Sequence, residues 1–215
     1  FPRWLRPALV GESGSGKSVT AYSLLRLFQL PDGRPVDLAQ LRSRELKPIR
    51  PHVQMVFQDP FSSLNPRKSV REIVGEPLVI HGLARGRELD DRVADVLARV
   101  GLKPEHRLRY PHAFSGGQRQ RIGIARAIIM RPSLVVGDEA TSALDVAMPA
   151  QVLDLLKELQ REFGLTYLLV AHNLDVVRGF CDRVAVMRKG RIVELAETAD
   201  IFSNPQHPYT RILLS

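Results

Sequence analysis

Along the 215 residues, short apolar runs alternate with longer stretches in which apolar positions recur every three or four residues. Ala8–Val10 reads as the end of a buried strand that runs into a Gly/Ser-rich turn beginning at Gly11. A helix is expected from about Ser18 to Leu30, where Pro31, Asp32, Gly33 and Pro35 break the chain. Val53–Phe57 is a second short apolar run and a predicted strand, followed by loop from Pro60 to Pro66. Between about Val70 and Pro111 the texture changes. Leu89, Val93, Val96, Leu97 and Val100 line one helical face, Asp and Arg stand between them, and Gly101 closes the run. This segment is predicted to be a mostly helical insert.

After Phe114 helices and buried strands alternate regularly. The pattern predicts a helix over Gly116–Met130, a strand over Leu134–Gly137 and a helix over Ala150–Phe163 stopped by Gly164. A strand over Thr166–Ala171 and a short helix over Leu174–Phe180 follow. Arg183–Arg188 and Arg191–Leu195 form a hairpin turning at Lys189-Gly190, and the tail from Pro205 to Ser215 is short and partly helical. Strands alternating with helices predict an α/β layer with a largely parallel sheet.

Composition narrows the class. Hydrophobic content of 44% and charged content of 25% are those of an ordinary globular chain. Leu168–Val170, flanked by Tyr167 and Ala171, is among the longest apolar runs and is far below the ~20 residues that span a bilayer. No secretion signal is visible, so a cytoplasmic location is expected. A single cysteine, Cys181, excludes an intrachain disulfide and any multi-cysteine metal site. The net charge of +8 suggests nucleic acid or an anionic surface. The basic residues are scattered, however, which favours a protein that holds phosphates and sits near anionic lipid. No nucleic-acid partner is expected.

The chemistry begins with Gly11-Glu12-Ser13-Gly14-Ser15-Gly16-Lys17-Ser18, a complete G-x-x-x-x-G-K-[ST] phosphate loop. Its glycines let successive N–H groups point at phosphate oxygens, Lys17 brings a point charge, and the Ser18 hydroxyl can hold magnesium. A plain Gly/Ser turn is the alternative, but the position between a strand and a helix favours phosphate binding. Leu134-Val135-Val136-Gly137-Asp138-Glu139 ends an apolar strand in two acids at the edge of the sheet where ligands of such folds bind. Asp138 suits a magnesium shell, and Glu139 is placed to polarise a water for in-line attack on a γ-phosphate. Phe114-Ser115-Gly116-Gly117-Gln118 starts a helix with a serine cap and two glycines, a second phosphate-seeking helix start without a lysine. Two such starts and one phosphate loop make sense if the second serves a partner's nucleotide.

These motifs, with Gln58 in Val56-Phe57-Gln58-Asp59-Pro60, Ser142-Ala143-Leu144-Asp145 and His172, resemble ABC-transporter ATPases in content and order over nearly the whole chain. The resemblance implies a RecA-like phosphate-loop core at 1–69 and 114–215, and a helical ABC-specific subdomain at 70–113. It implies ATP and magnesium as ligands, with the metal held by Ser18, Gln58 and Asp138. Glu139, His172 and Gln58 become the catalytic set, with His172 as the switch histidine at the γ-phosphate. Ser115–Gln118 would close on the partner's ATP, and Asp145 would lie in the loop crossing the interface of a homodimer or paralogous heterodimer. The partners implied are integral-membrane permease subunits and, indirectly, an extracytoplasmic solute-binding protein, with the chain peripheral on the cytoplasmic face of the membrane.

A narrower resemblance lies in Phe57–Pro66 and in Asn204-Pro205-Gln206-His207-Pro208-Tyr209-Thr210-Arg211. Both are similar to the dipeptide, oligopeptide and nickel importers, and to glutathione importers. Departures are Ala140 after Glu139, and Ala171 and Asn173 beside His172, which are expected to slow a switch without removing it. Only ten residues precede Gly11, so the family's N-terminal antiparallel β segment with its adenine-stacking aromatic is expected to be truncated. The stretch from Leu30 to Arg44 also reads as having lost a strand. The rival readings are a truncated, non-hydrolysing subunit and a soluble ABC ATPase acting on DNA or ribosomes.

Overall fold

Thr166–Ala171 is six consecutive buried residues, and a strand with no exposed face belongs in the middle of a covered parallel sheet. The computed structural model, which describes residues 5–12, 14–17, 28–29, 35–36, 41–56, 63–138, 150–171 and 173–215, places it there. The strands are β1 (Pro7–Val10), β2 (Phe28–Gln29), β3 (Pro35–Val36), β4 (Val53–Val56), β5 (Leu134–Asp138), β6 (Thr166–Ala171), β7 (Arg183–Arg188) and β8 (Arg191–Glu197). The helices are α1 (Ser43–Leu46), α2 (Val70–Ile80), α3 (Gly86–Arg99), α4 (Gly116–Ile128), α5 (Ala150–Phe163), α6 (Leu174–Phe180), α7 (Thr198–Ser203) and α8 (Pro208–Leu214).

Six strands form one sheet in the order β4-β5-β6-β1-β7-β8, parallel except for the closing β7–β8 hairpin. Alternate residues of each strand supply opposite faces. Ala8 and Val10, Tyr167 and Leu169, Val184 and Val186 join the main core with the helices. Leu9, Val136, Leu168, Val170 and Met187 form a second buried cluster. The two-residue period of the strand therefore feeds apolar surface to both sides, which explains the unbroken apolar runs in the sequence.

Helix α2 begins with a reciprocal cap, in which the Ser69 hydroxyl accepts from the Glu72 amide and the Glu72 carboxylate accepts from the Ser69 amide. It crosses α3 closely, since a Cβ on Gly75 would lie 2.8 Å from Leu89 Cδ1. Helix α3 ends at Gly101 as expected, where the Leu102 amide donates to the Leu97 carbonyl and the Gly101 amide to that of Ala98. Ahead of β1, the Arg6 guanidinium holds Asp182 through both carboxylate oxygens, at 2.6 and 3.1 Å. The turn of the β7–β8 hairpin has φ of 47° at Lys189 and 78° at Gly190, the geometry a two-residue hairpin favours.

One expectation needs correction. The helix expected from Ser18 to Leu30 does not reach its far end, because Phe28 and Gln29 pair antiparallel with Val36 and Pro35. Pro31, Asp32 and Gly33 therefore stand in sequence between two paired strands, and the second of these, Pro35–Val36, lies in the stretch that reads as having lost a strand. The segment after β8 is also helical: α7 follows without a loop, tied by the Thr198 hydroxyl to the Cys181 carbonyl at 2.7 Å. Its six residues are too few to show a period in the sequence.

Candidate functional site

The register of the sheet gathers the predicted chemistry along one edge. Val10 at the end of β1 pairs with Ala171 at the end of β6, Asp138 with Val170, and Val56 with Gly137. Four neighbouring parallel strands thus finish level with one another, and their next residues begin the phosphate loop and the segments of Gln58, Glu139 and His172. In parallel α/β sheets this carboxyl edge is where ligands bind. Ser13, Ser18, Gln58, Glu139, Asp145 and His172 lie outside the described residues, and of Asp138 the backbone alone is described.

The loop itself is built around Lys17. Its side chain is buried, and its ammonium donates to the carbonyls of Gly11 and Glu12, both at 2.9 Å. The Ser15 amide closes the turn on the Glu12 carbonyl at 3.1 Å. The Ser15 hydroxyl is buried without a partner among the described residues. A buried, unsatisfied hydroxyl is costly unless a polar group arrives to meet it. An anion with several acceptor oxygens, such as a phosphate, supplies that group.

Outside the loop, three contacts fix its shape. The Gly190 amide of the β7–β8 turn donates to the Ser15 carbonyl at 2.9 Å. Gly11 runs so close to β7 that a Cβ there would lie 2.2 Å from the Met187 carbonyl oxygen. The Glu12 amide donates to the Tyr209 hydroxyl at 3.0 Å. Tyr209 is buried, with the Arg188 guanidinium 4.8 Å from its ring centre. Its helix α8 is seated by Glu194 of β8, whose carboxylate accepts the amides of Gln206 at 2.8 Å and His207 at 3.0 Å. Burial works to raise the Glu194 carboxyl, but the hydrogen bonds it accepts outweigh this and hold it below the ordinary range. Met187, Gly190 and Tyr209 were not among the predicted site residues. Tyr209 alone carried a signal, as part of the Asn204–Arg211 tail motif.

The second helix start is built as expected. Ser115 caps α4, its hydroxyl accepting from the Gln118 amide at 3.3 Å, and the Gln118 side chain accepts from the Ser115 amide at 3.1 Å. Ser115 is exposed, and a Cβ on Gly117 would meet nothing within 4 Å. Among the described residues no hydrogen bond or ion pair links 115–118 to 11–17. Asn173 turns out to have work of its own: its side-chain oxygen accepts from the amides of Asp175 at 2.9 Å and Val176 at 3.3 Å, capping α6 directly after position 172.

Magnesium, if bound, would find hard oxygen donors suited to it at Ser18, Gln58 and Asp138. Asp138 ends β5 and pairs with Val170 of β6, so this position lies at the same edge of the sheet as the phosphate loop.

The fold and the loop together define a phosphate-loop nucleotide-binding domain. The family model for ABC transporters matches residues 5–142, and the chain belongs to that family. A second model, for the C-terminal region of oligopeptide/dipeptide transporters, matches residues 193–215, so the likeness of the tail to peptide importers is borne out. The chain is 50% identical over 212 residues to the oligopeptide transport ATP-binding protein AppF of Bacillus subtilis, covering 96% of this chain and 64% of AppF. It is 51% identical over 212 residues to the glutathione import ATP-binding protein GsiA of Salmonella choleraesuis, covering 97% of this chain and 34% of GsiA. It therefore spans under two thirds of each of these relatives. Among solved structures, cbiO1 of Clostridium perfringens, part of the ABC transporter complex cbiONQ, superposes with a TM-score of 0.80 at 29% identity, covering 94% of this chain and 80% of that one. A dimeric ATP-binding cassette in a post-hydrolysis state with ADP and Pi superposes with a TM-score of 0.74 at 30% identity, covering 90% and 85%. The expected α/β core is thus confirmed. No described helix is long and apolar enough to cross a membrane.

Proposed function

We propose that this chain binds and hydrolyses MgATP as the nucleotide-binding part of an ABC importer for peptides or a related solute such as glutathione or nickel. The observation that carries the reading is the phosphate loop, with buried Lys17 and the unpartnered Ser15 hydroxyl, at the level edge of four parallel strands. On entry of the γ-phosphate, Lys17 exchanges its carbonyl partners for phosphate oxygens, and the Ser15 hydroxyl gains an acceptor. Glu139, next after Asp138, orients the attacking water, with Gln58 and His172, which follow the two flanking strands in sequence, as its companions. Ser18, Gln58 and Asp138 would hold magnesium, which would supply charge neutralisation to the phosphates.

A second copy or a paralogue completes the site, its Ser115–Gln118 helix start meeting the phosphates from the far side and Asp145 lying in the interface loop. The exposed, capped start of α4 supports this reading, as does the dimeric relative. Residues 70–113 form the helical subdomain which, with Gln58, passes the state of the nucleotide to permease subunits; the remainder is the core. The chain sits peripherally at the cytoplasmic face of the membrane. Catalysis here is mostly positioning and charge stabilisation, so an isolated half-site turns over slowly.

The test is MgATP binding and turnover by the purified chain beside Glu139→Gln and Lys17→Ala. The expected result is turnover in the parent, retained binding with stalled dimers in Glu139→Gln, and lost binding in Lys17→Ala. A parent that binds no nucleotide sinks the proposal.

A further inference from the structure

We propose that Tyr209, near the end of the chain, is a positioning residue for the nucleotide site, setting one peptide plane of the phosphate loop. This rests on the nucleotide reading above. The Gly11 carbonyl and the Glu12 amide belong to the same peptide unit. Lys17 donates to the carbonyl side at 2.9 Å, and the Tyr209 hydroxyl accepts from the amide side at 3.0 Å. One peptide is therefore pinned from both edges, by the loop's own lysine inside and by the tail outside. When Lys17 turns to phosphate, the inner pin is released and the hydrogen bond to the Tyr209 hydroxyl remains on that plane. Without the hydroxyl, the Glu12 amide loses its partner and the plane is free to rotate.

The tail is seated well enough to do this. Tyr209 is 3% exposed and Thr210 fully buried. His207 caps α8, its Nδ1 accepting the Tyr209 amide at 3.1 Å, and Arg211 donates to the Pro205 carbonyl at 2.9 Å. Glu194 anchors the approach through the Gln206 and His207 amides. A run of contacts thus leads from β8 through the tail to Glu12 of the phosphate loop, 197 residues away in sequence from Tyr209. The Asn204–Arg211 motif acquires a physical role, because it shapes the nucleotide site from outside.

The experiment is MgADP titration and MgATP steady-state kinetics on Tyr209→Phe, which keeps the ring under Arg188 and removes the hydroxyl alone. A lost hydrogen bond of ordinary strength gives roughly five-fold weaker nucleotide binding. Because the plane is set alike in ground and transition states, KM rises by that factor while kcat stays within about two-fold. Glu194→Ala, which unseats the tail, weakens binding in the same direction, and combined with Tyr209→Phe adds less than its separate effect. Parent-like MgADP affinity in Tyr209→Phe, beside a non-binding Lys17→Ala, overturns the role of the tail while leaving the nucleotide site standing. Parent-like binding by Lys17→Ala overturns the nucleotide reading itself. A loss of binding in Tyr209→Phe accounted for by a smaller folded fraction in the thermal melt also overturns the proposal.

Discussion

Replacing Gly11 by alanine tests how tightly the phosphate loop is set against the sheet. The added Cβ would lie 2.2 Å from the Met187 carbonyl oxygen and 3.1 Å from the Ser15 hydroxyl, with φ at 153°. Reaching ordinary van der Waals contact needs a shift of about an ångström. The neighbouring residue Val10 is locked to Val186 in the β1–β7 ladder, so the obstacle is backbone on both sides. Overpacking of this kind costs about 1–3 kcal/mol, and the unfavourable φ adds roughly 1 kcal/mol. A total near 3 kcal/mol lowers Tm by about 6–12 °C in a domain of this size. Gly14→Ala is the comparison, because its φ is 77° but nothing lies within 4 Å of the new methyl. Its expected loss is the conformational part alone, about 2–4 °C. Thermal melts of the two variants, followed by MgADP titration, read the difference. Equal melting temperatures with parent-like affinity in Gly11→Ala would refute the close-approach argument.

Cys181 is buried, and its thiol is pushed up to about 12, chiefly by desolvation and secondarily by Asp182. Iodoacetamide at pH 8 is expected to label the folded chain at least a hundred-fold more slowly than the urea-unfolded one, and equal rates would disprove the burial. Because the folded value lies above the unfolded value of about 8.5, the protonated thiol's contribution is complete below that pH and is lost as pH rises toward 12, so stability falls on the alkaline side. Asn173→Ala removes the α6 cap and is expected to cost about 1 kcal/mol, or roughly 2–4 °C in Tm, whereas Asn173→Asp keeps an acceptor and most of the stability. A melt in which the two variants fall equally far would count against the cap.

Asn173 shows why a departure from a family pattern is hard to read in one dimension. By sequence it reads as a substitution beside the switch position, but its side chain satisfies two amides at the head of α6. The substitution serves the fold whether or not it changes turnover.

Much of this protein is decided by neighbours a few residues apart. Apolar runs with no polar face specify buried parallel strands, Gly101 and Gly164 end helices, and Lys189-Gly190 turns a hairpin, because each depends on local backbone sterics and a short-range pattern. The phosphate loop belongs to the same class, since its amides, glycines and lysine act within one short stretch of chain. The strand order β4-β5-β6-β1-β7-β8 was not legible, nor was the pairing of Phe28–Gln29 with Pro35–Val36 in a stretch with helical texture. Least legible of all was the meeting of the Tyr209 hydroxyl with the Glu12 amide. Such contacts join residues whose propensities say nothing about each other. They exist because burial of both faces of the sheet leaves one arrangement in which the hairpin and the tail close over the loop, and that choice is made by the assembled core.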